Sequence, residues 1–518
     1  MEVRRASGVR DRVRACDITG GDDPVMALDF PRPDWNAAVT EFLIGLTYLA
    51  LPCDDVDEWE AHFVTPPAPD ALLKAWQALV PCFNLDGEGP LAFQDFDDLV
   101  TQDIKPVSSL LIDAPGENAL RNNSDLFVKR DGVTALSLPL AAAALITLQT
   151  YAPSGGAGHR TSLRGGGPLT TLVTPRRKGQ NVTTLWDRIW ANVPYRDDNF
   201  SLRPQDLFPW MRPTLTSAKN EIVTPEDRPL ALNFFACPRR LRLVFSEGQC
   251  SLSGAAGAVV AGFRTQNYGA NYQFWQHPLS PYYEDKKSGK LPCHPHAGAS
   301  DYGDWLTWWG FDGYPATVVR LWEGRRHILT PHLDPSSPDG IEAFGFDMDN
   351  MKARQWLEAR APWLPEGSAA LKASVKAFIE ATDETARAAT YACRTALYGQ
   401  KKADDHYRVE GADSFKTPGE QVWAVTQSLF EAQLTHLIAR AATEDGDTDL
   451  REAWIATLRK QAFRVFETFV DVDGLTDEEP RRLLYARNQL NNLIMSKART
   501  ALGLAKPSKS SNKTEETV

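Results

Sequence analysis

The chain has 518 residues, of which 43% are hydrophobic and 24% are charged, and this balance predicts a globular protein of two or three domains. Its net charge of −11 disfavours a free-standing protein that binds nucleic acid without sequence preference, but it permits local basic patches on a subunit of a complex. Seven scattered cysteines and an Arg-rich start without an apolar core predict free thiols and a cytoplasmic location.

The first eighty residues combine an irregular or extended start, over 1–32, with helical patterns at 33–51, 55–64 and 69–80. Apolar residues recur in the first helical pattern at the spacing of one helix face: Trp35, Val39, Phe42, Leu46 and Leu49. Polar residues interrupt that apolar run, so the pattern indicates a core-facing helix and not a membrane span.

A glycine-rich segment over 152–168 is the most informative part of the sequence, because it also carries His159, Arg160 and Arg164. Glycine permits close approach of the backbone, so such a segment can place bare N–H groups against a polyanion. The other interpretation is a mobile surface loop. The spacing does not match the glycine patterns that bind mononucleotides or dinucleotides, which favours a different kind of partner.

The remaining patterns predict an α+β fold. Short strand-like runs with Pro- and Gly-rich connections fill 169–345, and four long helical patterns follow Pro362. We therefore predict a large irregular mixed domain over 1–362, an all-α four-helix bundle over 363–505 and a disordered tail over 506–518.

Two groups of residues could suggest metal-dependent catalysis. Cys293, His294 and His296 lie close together in the sequence, but ligands that alternate around a proline rarely complete a tetrahedral site. Aspartate clusters, which could suggest a two-metal nuclease, occur at Asp95, Asp97 and Asp98 and again at Asp347 and Asp349. Such clusters are more often turns or caps. We expect no catalytic residue, metal or cofactor, with a metal-dependent nuclease as the alternative.

Cations on the third predicted bundle helix include Arg459, Lys460 and Arg464. A solvated helix face is the common explanation for such residues. They would equally suit contacts to a nucleic-acid backbone, because phosphate contacts need charge and reach but no base code. With Arg160, these three residues are our candidates for contacts to a nucleic-acid backbone.

The glycine-rich segment, with its Ala152-Pro153, Ser162-Leu163-Arg164-Gly165-Gly166, Pro168 and Thr170-Thr171 flanks, resembles the CasA family. Members of that family are large subunits of Cascade, the type I-E CRISPR surveillance complex. Further resemblances follow in the family's order: Cys53-Asp54-Asp55-Val56, Phe127-Val128, His277-Pro278-Leu279-Ser280-Pro281, Gly345 to Arg354 and the final four helices. The resemblance covers about residues 22–502.

The resemblance implies how the protospacer-adjacent motif would be bound. The family's glycine loop, which approaches the minor groove of that motif, matches Ser154, Gly155, Gly156, Ala157 and Gly158. Ser154 and Ala157 replace two glycines that are usual there. The family's lysine finger falls at Asn267, with Arg264 or Gln266 as substitutes, so the preferred motif is expected to differ.

The resemblance also implies the other contacts. The wedge that opens the duplex matches Asp349 and Asn350, and the segment that grips the handle of the guide RNA matches Phe127, Val128 and Lys129. The implied function is that of a non-catalytic subunit that recognises the motif in double-stranded DNA and starts strand separation. The implied partners are the guide CRISPR RNA, the other Cascade subunits and the CRISPR helicase-nuclease, with no membrane. A purely structural scaffold is a third possibility.

Overall fold

The structure, a computed structural model, describes residues 1–505 except 126–127, 129, 131, 157, 181, 227, 297–301, 336–338, 351, 365–368, 403–405, 410–414, 444 and 471–478. The predicted tail over 506–518 lies outside the described residues. The chain forms two compact units. The first contains the described residues of Met1–Ala297 and Asp312–Trp363, and the second those of Gly298–Phe311 and Leu364–Val518.

The strands are β1 (Glu2–Arg5), β2 (Arg10–Arg12), β3 (Val25–Leu28), β4 (Ile104–Pro106), β5 (Leu136–Ser137), β6 (Thr170–Thr174), β7 (Arg240–Gln249), β8 (Ala256–Gln266), β9 (Tyr282–Asp285), β10 (Gly289–Pro292), β11 (Gly340–Asp349), β12 (Lys352–Pro362), β13 (Gln400–Lys401) and β14 (Tyr407–Arg408). The α-helices are α1 (Pro33–Ala50), α2 (Val56–Val64), α3 (Pro69–Trp76), α4 (Glu117–Arg121), α5 (Leu138–Tyr151), α6 (Leu185–Ala191), α7 (Pro204–Leu207), α8 (Leu232–Phe235), α9 (Trp305–Trp308), α10 (Thr317–Leu329), α11 (Ala369–Tyr398), α12 (Thr417–Thr443), α13 (Thr448–Phe469), α14 (Glu479–Leu493) and α15 (Arg499–Ala501). A π-helical turn, Ile494–Ala498, joins the last two.

The sheets of the first unit are small and antiparallel. β1 lies between β2 and β3, and β11 lies between β12 and β6. A third sheet is centred on β8, which pairs with β4, β5 and β7. The mixture of short sheets and helices confirms the predicted α+β fold.

Helix α1 is the central core helix of the first unit. Pro33 begins it at a position where a missing N–H group costs nothing, and Trp35, Leu43 and Tyr48 are almost completely buried. The helix packs against α5 and α6. The predicted helix over 33–51 is confirmed. None of the helices in the described part of the chain is long and apolar enough to span a membrane.

The second unit is helical, as predicted. Helix α11 contacts α12, α13 and α14, and its face toward them is built from small residues such as Ala389 and Ala392, which permit close approach. The segment Gly298–Phe311, which the sequence placed in the first domain, belongs to this unit. In this segment, the Tyr302 ring stacks on the Phe430 ring with 4.1 Å between the ring centroids. The Tyr302 hydroxyl donates a hydrogen bond to Thr382 Oγ1 at 3.0 Å.

A buried ion pair joins the glycine-rich segment to α1. Glu41 and Arg164 are each 3% exposed, and Arg164 Nη2 lies 2.6 Å from Glu41 Oε2. Glu41 Oε1 accepts hydrogen bonds from the hydroxyls of Tyr151, at 2.5 Å, and Thr170, at 2.8 Å. Arg164 Nη1 donates to Thr170 Oγ1 at 2.8 Å and to Ser280 Oγ at 3.0 Å. We call these five residues the Glu41–Arg164 cluster.

The pKa shifts of two buried groups, Tyr151 and His277, support this assignment of donors, acceptors and charges in the cluster. Burial and the neighbouring Glu41 carboxylate raise the pKa of Tyr151 well above its usual value, so the phenol stays protonated and donates. Burial and the nearby Arg164 guanidinium lower the pKa of His277 well below its usual value. Its Nε2 lies 3.9 Å from Glu41 Oε2. The imidazole is therefore neutral, and Arg164 is the cation that balances Glu41.

We predict that Arg164→Met destabilises the first unit by about 3–5 kcal/mol, because it leaves the Glu41 carboxylate buried without a counter-charge. Urea unfolding followed by tryptophan fluorescence measures the change. The control is Arg12→Met, which removes an exposed partner of Glu2 and should cost at most about 1 kcal/mol. Equal effects of the two substitutions would contradict the role given to the buried pair.

Candidate nucleic-acid interface

The glycine loop, Ser154 to Gly158, begins three residues after the end of α5. The Pro153 carbonyl just before it accepts a hydrogen bond from Arg239 Nη2. Within the loop, the Gly155 N–H donates to the His159 carbonyl and the His159 N–H donates to the Gly156 carbonyl, both at 3.3 Å. Ala157 lies outside the described residues. The loop is thus a small closed turn with a fixed start.

The glycines of this loop serve two different needs. Gly156 has φ +89° and is exposed, and a Cβ there would meet no protein atom within 4 Å. Gly158 has φ +79°, and a Cβ there would lie 2.9 Å from the Tyr268 nitrogen and 3.0 Å from Asn267 Cβ. Gly158 is therefore required by the protein's own packing, whereas the bare backbone of Gly156 faces open space.

The end of β8 lies directly against the glycine loop. The Tyr268 N–H donates to the Gly158 carbonyl at 2.8 Å, so the exposed Asn267 is held beside the loop. Gln266 and Arg264 precede it on β8 and are half-buried. Arg264 Nη1 donates to the Gln102 carbonyl. Of the three residues that the sequence proposed here, Asn267 is the most exposed and the nearest to the loop.

Arg160 forms an internal contact. Its Nε donates to Ser217 Oγ at 2.8 Å and its Nη2 to the Ser217 carbonyl at 3.5 Å. Ser217 in turn donates its N–H to the Tyr268 carbonyl at 3.1 Å. Through Ser217, Arg160 therefore connects the residues just after the glycine loop to the segment that follows β8. No sequence pattern indicated this contact, because Ser217 lies in a separate loop.

The predicted wedge residues lie at the tip of the β11–β12 hairpin. Asp349 pairs with Lys352, and Asn350 occupies the turn with φ +47°, a left-handed conformation that asparagine tolerates. Both side chains are exposed, with Asn350 Nδ2 3.2 Å from Asp349 Oδ1. Arg354 holds Asp347, just below the tip, at 2.7 Å.

The glycine-rich segment also packs on this hairpin. Strand β6 pairs with β11 from Thr170 opposite Phe344, so the residues just before Thr170 lie beside the part of β11 that leads to the tip. A Cβ at Gly167 would lie 2.7 Å from the Phe346 carbonyl oxygen, and one at Gly345 would lie 2.5 Å from the Pro168 carbonyl oxygen. Continuous packing therefore links β8, the glycine-rich segment and the β11–β12 hairpin.

The residues proposed for docking on the guide are described only in part. Val128 is 43% exposed, while Phe127 and Lys129 lie outside the described residues. Asp125 and Arg130 flank the segment and form an ion pair at 2.5 Å. An exposed valine between two such partners is available for contact with another molecule.

The bundle cations lie on α13 of the second unit. Arg459 Nε donates to Asn491 Oδ1 at 2.8 Å. Lys460 and Arg464 are exposed, lie one helical turn apart and form no ion pair with any residue that the structure describes. These two residues are the more available of the three for a phosphate backbone.

The candidate metal ligands do not gather. Among the described residues, no group of three or more His, Cys, Asp or Glu side chains could hold a metal ion. Asp95 is paired with Arg240 at 2.6 Å, and Asp347 with Arg354. In each of the two clusters, the buried aspartate is thus engaged by an arginine.

Comparison with known proteins identifies relatives of this fold. The family of CRISPR-associated protein Cse1 matches residues 1–465. A crystal structure of CasA from Thermus thermophilus is similar with a TM-score of 0.69 and 15% identity, covering 95% of this chain and 97% of that one. Cse1 from Acidimicrobium ferrooxidans gives 0.67 and 16%, covering 98% of both chains. A chain of a CRISPR RNA-guided surveillance complex gives 0.68 and 17%, covering 95% and 98%.

At these identities the solved structures establish a shared fold, while the family match extends over most of the chain. The resemblance found in the sequence is confirmed. The chain belongs to the Cse1 family of CRISPR-associated proteins, whose members include CasA.

Proposed function

We propose that this chain is the non-catalytic large subunit of a type I-E Cascade complex. It recognises the protospacer-adjacent motif in double-stranded DNA, starts strand separation for pairing with the guide RNA and recruits the CRISPR helicase-nuclease. One observation carries the proposal. The hydrogen bond from the Tyr268 N–H to the Gly158 carbonyl joins the open backbone of the glycine loop and the exposed Asn267 into one surface.

The chemistry of that surface suits a minor groove. The backbone at Gly156 has no side chain to keep it from the groove floor, and Asn267 offers both a donor and an acceptor. The minor groove carries a degenerate code that distinguishes mainly A·T from G·C pairs. We therefore expect this subunit to tolerate several motifs, while base pairing by the guide reads the rest of the target, as in another RNA-guided effector.

The other predicted residues take supporting roles in this proposal. Asp349 and Asn350 enter the base stack beside the motif. Phe127, Val128 and Lys129 dock the subunit on the guide RNA and the other Cascade subunits. Lys460 and Arg464, with Arg459, hold the DNA backbone without regard to sequence, because exposed cations contact phosphates of any base pair. The paired aspartates support a binding role over a nuclease.

The proposal predicts that Gly156→Leu abolishes discrimination between motif-bearing and scrambled duplexes. The new side chain stands between the loop backbone and the groove. Gly8→Leu is the matched control, because Gly8 has φ +86°, is also exposed and has equally open surroundings. Both substitutions strain the backbone by roughly 1–2 kcal/mol. Dissociation constants of the assembled complex for both duplexes measure the ratio. Full discrimination by Gly156→Leu would mean that the loop is only a connection.

The wedge assignment predicts that Asp349→Ala combined with Asn350→Gly impairs duplex opening and leaves complex assembly intact. Glycine keeps the left-handed turn and removes only the side chain. Unstacking a base step costs a few kcal/mol, which the wedge side chains help to offset. Permanganate reactivity of target thymines should fall on a linear duplex and recover on a pre-melted one.

The control for the wedge variant is Lys287→Ala with Ser288→Gly, which removes exposed side chains from the β9–β10 turn in the same unit. This control should open the duplex normally. If the wedge variant also opened it normally, Asp349 and Asn350 would be ordinary turn residues.

A further inference from the structure

An open cleft in the first unit lies next to the glycine loop. The residues that matter for its chemistry are Asp95, Arg212, Arg239 and Tyr272, which line it together with apolar side chains such as Trp210. Neither the sequence patterns nor the function proposed above assigns any role to this cleft.

Two arginines give the cleft its positive charge, and neither forms an ion pair with a residue that the structure describes. Arg239 Nε is shielded from solvent and has no hydrogen-bond partner in the described part of the chain, while Nη2 of the same guanidinium donates to the Pro153 carbonyl. Arg212 forms no hydrogen bond or ion pair through its side chain with any residue that the structure describes. Burial lowers the pKa of Arg239 to about 10, and burial together with the nearby Arg228 lowers that of Arg212.

The acid in the cleft does not balance these charges. Both Asp95 oxygens already accept hydrogen bonds from Arg240, at 2.6 Å and 3.3 Å, and one also accepts from the Asp97 N–H at 2.9 Å. Asp95 is therefore already paired with a third arginine, Arg240, which also pairs with Asp97 at 2.8 Å. A partly buried guanidinium without a counter-ion is costly, and an anion that entered the cleft would relieve that cost.

We propose that Arg212 and Arg239 form a phosphate-binding cleft, and that its occupant is a backbone phosphate of the DNA that lies on the glycine loop. Guanidinium groups present planar donors that match phosphate oxygens. Arg239 also connects the cleft to the loop, because its Nη1 lies 2.8 Å from where a Cβ of Gly155 would be. The assignment of this phosphate to DNA rests on the proposed function. The assignment of the cleft as an anion site does not depend on that function.

Arg239 is rigidly placed for this purpose. The Arg239 N–H donates to Gln149 Oε1 at 3.0 Å, and the Arg239 carbonyl accepts from Gln149 Nε2 at 3.0 Å. Gln149 is buried in the last turn of α5, the helix from which the glycine loop emerges. A phosphate bound in the cleft would therefore lie at a fixed position relative to the loop backbone. This would fix the position of the duplex relative to Gly156.

The test uses Arg212→Gln, Arg239→Gln and, as a charge-matched control, Lys74→Gln, which removes an exposed cation of the same unit outside the cleft. Arg212→Gln breaks no hydrogen bond of the described protein, so it should fold even if Arg239→Gln does not. In the first arm, inorganic phosphate at constant ionic strength should raise the melting temperature of the unaltered chain and of the control. It should not raise that of Arg212→Gln.

The second arm measures DNA binding by the assembled complex as a function of salt. Each cleft variant should reduce the slope of log K against log salt by about 0.9, the value for one lost phosphate contact on a duplex. A single methylphosphonate placed near the motif should weaken the unaltered complex and have no further effect on Arg212→Gln. The Lys74→Gln control should keep both the slope and the sensitivity to that methylphosphonate.

The outcomes separate the possible sources of phosphate. A response to inorganic phosphate with an unchanged salt slope would overturn the DNA assignment and identify the cleft as a site for a free anion. No response in either arm would overturn the cleft. Motif discrimination by the unaltered complex is read from the same binding curves, so failure of the proposed function is seen separately from failure of the cleft.

Discussion

The buried ion pair between Glu41 and Arg164 is the interaction on which the arrangement of the candidate interface depends. It joins α1, the central helix of the first unit, to the glycine-rich segment, and Thr170 and Tyr151 complete it from either end of that segment. A charge pair removed from water is stable only if its remaining hydrogen-bonding capacity is satisfied. Glu41 needs the hydrogen bonds from Tyr151 and Thr170, and these bonds fix the positions of the two ends of the glycine-rich segment.

This constraint divides the glycine-rich segment into two parts with different physical tasks. The part around Arg164 to Pro168 is packed on the β11–β12 hairpin, where Gly167 and Gly345 permit contact between backbones. The part around Gly156 is exposed, yet it is held by Arg239 at its start and by the Tyr268 hydrogen bond at its end. A loop that is open but already ordered loses little entropy when it binds, which suits a recognition element.

Much of the fold could be predicted from local sequence patterns. The helix of 33–51 and the first bundle helix, α11, place apolar residues repeatedly on one face, and the composition of the glycine-rich segment marked it as an unusual connection. The partners of its arginines were not predictable, because Glu41 is 123 residues from Arg164 and Ser217 is 57 from Arg160. One signal existed. Glu41 is a carboxylate in the middle of the apolar helix α1, and such a buried carboxylate requires a cation nearby.

The domain assignment of the Tyr302 segment also depended on contacts between residues far apart in the sequence, which local patterns do not reveal. The segment with Tyr302 is too short to show a helical period, and its contacts with the bundle, such as the ring stacking on Phe430 and the hydrogen bond to Thr382, assign it to the second unit. The cleft of Arg212 and Arg239 was equally hidden, since neither residue belongs to a recognisable motif. Long-range packing, and not local propensity, decides such positions.

In the proposed function, Asn267 and the glycine loop form one surface that contacts the protospacer-adjacent motif. A photoreactive benzoylphenylalanine at the exposed position 267, in the assembled complex, tests it most directly. We expect cross-links to base pairs of the motif that disappear on a scrambled duplex. Cross-links elsewhere on the DNA, or equal yields with both duplexes, would contradict it.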